Sequence, residues 1–296
     1  MSNNILQRPA MPAERHRFQP SADWSAELIC QQPIFAEVLE LFPLASLTDF
    51  PNVALLNRWF TARHPTLPYR FVDAEVQQLD GSYYEQYIEQ THAIPTRTRN
   101  WHDLFGAIIW CLFPSTKALM NQLHVQEMAQ QQNKQRSALR HQLTQLDECG
   151  VVLAYAESGL PIIAALQQHR WQEAFIAKRQ QWSSADRALQ APAILPIVFG
   201  HANYEMATHP FIGLTAKLLP LAVPANVLTM PAPARYQQLD ALLSAQLQQW
   251  ADRQQRLPLS PLPLLGVPGW YAAKQDLAFY QNSDYFRPLP QPKTKT

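Results

Sequence analysis

Residues 96–117, TRTRNWHDLFGAIIWCLFPSTK, constrain the fold more than any other stretch of the chain. Leu104, Phe105, Ile108, Ile109 and Leu112 recur at helical spacing and form one apolar stripe. Ala107 and Trp110 extend apolarity to the other side, so the spacing predicts a helix buried nearly all round, the centre of a core rather than a surface element. Asn100 is a good N-cap, and Asp103 three residues later can reach back to its backbone amide as in a capping box. His102 and Asp103 therefore belong at the edge of that core. Polar groups pressed against apolar surface need partners, so such a cluster is either a buried structural network or a functional site.

Pro114 ends this helix and Ser115 can cap the next, KALMNQLHVQEMAQQQN, with Leu119, Leu123 and Met128 facing inward. Helical spacing also marks 33–46, 50–63, RSALRHQLTQLDE, 161–182 and 235–255, whereas VVLAYA (151–156) and ILPIVF (194–199) read as short extended segments. The fold class read from this pattern is mostly α (α+β), a compact helical domain with one small β element. Residues 1–22 and 288–296 are proline-rich and polar and read as flexible ends of a single globular domain over 23–287.

Charge is nearly balanced, 24 basic against 23 acidic residues, so no global field points to nucleic acid or an anionic membrane. Three widely separated cysteines, Cys30, Cys111 and Cys149, argue against a disulfide framework. The amino-terminal stretch lacks a signal-peptide pattern, and no apolar run reaches the roughly 20 residues that span a bilayer. A soluble cytoplasmic protein is expected.

Three groups of residues could carry chemistry. In the first, His102–Asp103, Asp147–Glu148 and His201–Glu205 are polar pairs delivered by separate segments. His201 and Glu205, four apart, share a face of any helix beginning at Gly200, and His209 joins them only if that helix runs through to Pro210. Imidazole with carboxylate suits zinc, manganese or iron. His102, Asp147 and His201 are the expected metal ligands, and Asp103, Glu148 and Glu205 the expected catalytic carboxylates, with Glu148 or Glu205 activating water. The structural alternative makes Asp103 a helix cap, Asp147 and Glu148 solvated residues at a helix end, and His201 a hydrogen-bonded core histidine.

The second group is basic. Arg97 and Arg99 precede one helix and Lys117 opens the next, so charges and amide dipoles could converge on an anionic substrate; alternatively they pair with Asp103 and Asp147. The third is PLPLLGVPGWY (261–271), where Trp270 could close over a pocket or simply pack in a stiff connection. No GxSxG elbow, phosphate loop, GxGxxG turn or HExxH helix is present.

Taken together, IPTRTRNWHDLFGAIIWCLFPSTKALMNQLH, LTQLDECGVV, FGHANYE, PLPLLGVPGW and YFRP resemble the bacterial family catalogued as domain of unknown function 3025, in unbroken order over roughly residues 65–288. The resemblance carries no established activity. It implies that Arg97, His102, Asp103, Lys117, Asn121, His124, Asp147, Glu148, His201 and Glu205 belong to one signature, and it adds Asn121 to Arg97, Lys117 and Trp270 as an expected substrate-binding residue. After HDLF the family pattern has Asn where this chain has Gly106. The functional expectation is a metal-dependent, hydrolase-like enzyme acting on a small anionic molecule. The alternative is a binding or regulatory protein that captures an anionic metabolite or a protein partner without turning it over.

Overall fold

The computed structural model describes residues 18–130, 136–184 and 191–289. All of the two loose ends except 18–22 and 288–289 lies outside them. Among the described residues the α-helices α1 (Glu27–Cys30), α2 (Ala36–Leu41) and α3 (Val53–Arg63) come first, followed by β1 (Arg70–Asp73), α4 (Ala74–Asp80), α5 (Tyr84–Thr91) and β2 (Ala93–Thr96). The central part comprises α6 (Trp101–Leu112), α7 (Pro114–Gln130), α8 (Ala138–Cys149), β3 (Gly150–Tyr155) and α9 (Leu160–Gln167). Then come β4 (Ile194–Val198), α10 (His201–Ala207), β5 (Thr215–Ala222), α11 (Ala232–Asp252), β6 (Ser260–Pro263) and α12 (Leu277–Tyr280).

The expectation of one small β element is overturned. Among the described residues there are two sheets: a parallel pair β1–β2, and a mixed sheet of order β4-β3-β5-β6 in which β3 runs parallel to β5 and antiparallel to β4. Proline hid three of the strands that sequence reading missed, and β1, which contains none, is only four residues long. Pro95 lies in β2, Pro220 in β5, and Pro261 and Pro263 in β6. A proline cannot donate to a ladder, so it is confined to edges. The structure obeys that rule: β2 and β6 are edge strands, and β6 pairs with β5 only over Thr215–Leu218, leaving Pro220 a neighbour on the β3 side alone. The helix expected over 161–182 also ends early. It stops at Gln167, and His169 takes a left-handed conformation with φ of 54°.

Helix α6 is as enveloped as its composition demands, with Trp101, Leu104, Phe105 and every residue from Ala107 to Leu112 buried. Trp24 stacks on Trp101 at 4.8 Å between ring centres, and Phe105 stacks on Tyr204 of α10 at 5.3 Å. The second contact holds α6 and α10 side by side, which fixes where their polar residues meet. No single described helix is long and apolar enough to cross a membrane; α6 and α7 pass only jointly, across a 110° bend.

Ser115 does not cap α7. Asp240, buried in α11, accepts from the backbone N–H of Ser115 at 2.9 Å and of Thr116 at 2.8 Å. An ionised side chain 125 positions away thus satisfies the helix N-terminus and its dipole. Because Pro114 occupies the first position of α7, these two amides are the donors most in need of a partner. Asp240→Ala is expected to lower unfolding stability by about 2 kcal/mol, the scale of a lost charge-assisted bond. Urea unfolding checks this, and a change below about 0.5 kcal/mol would refute the role.

Candidate functional site

Four elements deliver the site. His102 stands in the first turn of α6, whose cap forms as expected, with Asn100 Oδ1 accepting from Asp103 N at 3.0 Å. Asp147 and Glu148 end α8, Lys117 projects from α7, and His201 opens α10. Glycine permits the junction of α8 and α10: a Cβ on Gly200 would lie 2.3 Å from Gly150 N and 2.5 Å from Glu148 O. No other residue fits so close to backbone. With Gly200 there, its N–H and that of Phe199 donate to the Gly150 carbonyl at 2.8 and 3.0 Å, and His201 emerges beside Glu148.

The two imidazoles meet edge to face, with His102 Nε2 and His201 Nε2 2.9 Å apart. Glu148 Oε2 stands 3.5 Å from the latter and 3.8 Å from the former. A triangle with these sides has a centre about 2 Å from every corner, the length of a zinc–nitrogen or zinc–oxygen bond. His102, Glu148 and His201 are therefore a group that could hold a metal ion.

The outer contacts suit that group. His102 Nδ1–H donates to Glu205 Oε2 at 3.0 Å, which turns the Nε2 lone pair toward the centre. The same hydrogen bond, against the opposing pull of burial, raises the His102 pKa. Burial pushes His201 down to about 4, keeping it a neutral imidazole. Its Nδ1 lies 4.0 Å from Asp147 Oδ1, too far for a hydrogen bond. Glu148 is raised chiefly by burial.

The remaining expected residues divide. Asp147 does not stand with the imidazoles: its carboxylate is ion-paired with Lys117 Nζ, and Glu148 takes the place expected for it. Successive helical residues point about 100° apart, so Glu148 approaches the Nε2 atoms of both histidines while Asp147 comes near only Nδ1 of His201. Burial opposes ionisation of Asp147, yet the adjacent Lys117 ammonium wins and holds the carboxyl below its ordinary range. Asp103 does not close a capping box either. It passes over Asn100 to accept from Arg97 N at 2.7 Å and forms a two-point ion pair with the Arg97 guanidinium at 2.7 and 3.0 Å. Arg99 turns to Asp49 at 2.9 Å. His209 lies beyond the end of α10 and bonds Thr208 Oγ1.

Around these groups lies a cavity of about 480 Å³ lined by His102, Asp103, Asp147, Glu148 and His201, by Arg97, Lys117 and Asn121, and by Gly106. Glu205 is not on its wall; it sits behind His102. Trp270 lies elsewhere, on a second cavity of about 570 Å³ beside Ile34, Tyr236 and Arg235. The family resemblance places His124 in the signature without assigning it a chemical role, and it is buried on the wall of the first cavity. The signal was its spacing. Lys117, Asn121 and His124 fall at i, i+4 and i+7 of α7, a polar stripe on a buried face.

The family described as "Protein of unknown function (DUF3025)" matches residues 69–290. The chain belongs to that family. The match takes in β1 through α12 and therefore all the elements that line the first cavity. No curated protein and no solved structure matches the chain.

Proposed function

We propose that the cavity is the active site of a cytoplasmic, metal-dependent hydrolase acting on a small anionic substrate, with a divalent cation held by His102, Glu148 and His201. The observation that carries this reading is the shared centre about 2 Å from three donor atoms. Two imidazoles and one carboxylate leave a further position for water or substrate, the arrangement of catalytic rather than structural zinc, and the same set accommodates manganese or iron. A cation so bound supplies Lewis acidity and lowers the pKa of a bound water to near 7.

The protein's own groups do the rest. Glu205 fixes the tautomer and orientation of His102. Glu148 offers one oxygen as a donor and keeps a second for the proton released by water, while Lys117 and Asn121 on α7 and Arg97 on the approach to α6 orient the substrate. Protein purified without chelator is expected to carry close to one equivalent of metal by mass spectrometry, and to hydrolyse esters or amides in a broad substrate screen only when metal is present. Metal-free protein that cannot be reconstituted would defeat the reading.

The ion pairs Arg97–Asp103 and Lys117–Asp147 favour a second reading, capture of an anionic metabolite without turnover, because they already hold the wall in a fixed arrangement. Stabilisation by ligands without any hydrolysis in the same screen would select it.

A further inference from the structure

Gly106 lies in the interior of α6, one turn after His102, where glycine weakens a helix by about 1 kcal/mol relative to alanine. Packing does not require it. A Cβ built at Gly106 meets nothing within 4 Å, and the backbone there is ordinary helix, yet the residue lines the cavity. The space it leaves is cavity space beside the candidate metal ligand His102. On the wall of the same cavity, His124 is only 8% exposed, and its Nδ1 has no hydrogen-bond partner among the described residues. A buried polar atom of that kind lacks a partner that a ligand would supply.

The charges on the wall set a limit on that ligand. The Arg97–Asp103 and Lys117–Asp147 pairs cancel, leaving Arg136 against Glu85 and Glu148, a sum of one negative charge. A divalent cation turns the sum to one positive, enough to balance a single negative charge and no more. Apolar wall residues, Ile88, Ile94, Trp110 and Met120, suit an organic body rather than a bare ion.

Resting on the metal reading above, we propose that the substrate is a singly charged organic acid or acid derivative whose non-reacting body lies over Gly106, so that Gly106 determines specificity. Polyanions such as phosphate esters are disfavoured. The space over Gly106 is open cavity space, and a larger side chain at that position takes up part of it.

The test uses the full chain loaded with cobalt, whose visible spectrum reports ligand binding, titrated with acetate, benzoate and phenyl phosphate in the wild type and in Gly106→Leu. The wild type is expected to bind benzoate about tenfold tighter than acetate, and phenyl phosphate no tighter than benzoate. Gly106→Leu is expected to keep cobalt and acetate binding while losing benzoate by about tenfold or more. Gly106→Ala, carrying only a methyl, is expected to raise the melting temperature and guards against a folding artefact. Equal benzoate binding in wild type and Gly106→Leu, or phenyl phosphate binding tightest, overturns the proposal with the metal site intact. A wild type that takes up no cobalt removes the metal reading and this inference together.

Discussion

His201→Ala is expected to lower zinc affinity far more than Glu205→Gln, whose loss falls in the range of about 10–100-fold that outer partners of metal-bound histidines contribute. The ordering follows from position. His201 supplies one of three donor atoms around a common centre, whereas Glu205 acts through His102, holding its ring by a 3.0 Å hydrogen bond. His102→Ala and Glu148→Ala should resemble His201→Ala. Asp147→Asn is the informative control, because sequence reasoning expects Asp147 as a ligand whereas Glu148, not Asp147, stands with the two histidines. Its zinc affinity should stay within a few-fold of wild type.

Acidity should follow the same assignment. Zinc competes with protons at His102, whose pKa is raised by Glu205, but hardly at His201, which burial keeps neutral down to about pH 4. Affinity should therefore fall by up to about tenfold per pH unit once the solution drops below the His102 pKa, with one proton rather than two displaced over that range. Competition with a chromogenic chelator at several pH values measures all of this. If Asp147→Asn abolished binding while Glu148→Ala did not, the donor assignment would be reversed.

Why some of this could be read from the chain and some could not has physical causes. His102 and His201 were legible because each adjoins apolar sequence, so a polar group there had to be partnered or functional. The choice between Asp147 and Glu148 was not legible, since adjacent carboxylates are interchangeable in sequence and only the rotation of α8 about its axis separates them. The longer helices α3, α6, α7, α8 and α11 were legible from their period, α6 most of all, whereas the polar α4 and α5 were not. β2, β5 and β6 were hidden by prolines that a strand tolerates only at an edge, and edges exist only once the sheet has formed. Asp240 illustrates a further limit: a cap that arrives from 125 positions away leaves no local pattern, and Ser115 offered a plausible substitute. The two glycines differ in the same way. Gly200 is imposed by backbone packed against it, while Gly106 is imposed by nothing in the protein.

Asp147→Ala is expected to destabilise the protein by about 3–5 kcal/mol, because it strands the Lys117 ammonium, 9% exposed, without its counter-charge. Lys117→Met should be milder, about 1–2 kcal/mol, since Asp147 retains 27% exposure and can recruit water when its partner is gone. The double variant Lys117→Met/Asp147→Leu should recover most of the loss, as replacement of a buried ion pair by apolar residues often does. The pH dependence carries the same signature. Asp147 has a folded-state pKa below its unfolded value, so the stability it contributes is fully present above about pH 4 and disappears as the pH falls further. Urea unfolding at pH 7 and at about pH 3 should show this component of acid lability in the wild type and its absence in the double variant. Single variants of equal cost, or a double variant no better than Asp147→Ala, would mean that the pair does not act as a unit. Lys117 would then be free to meet a more highly charged ligand than the one inferred above.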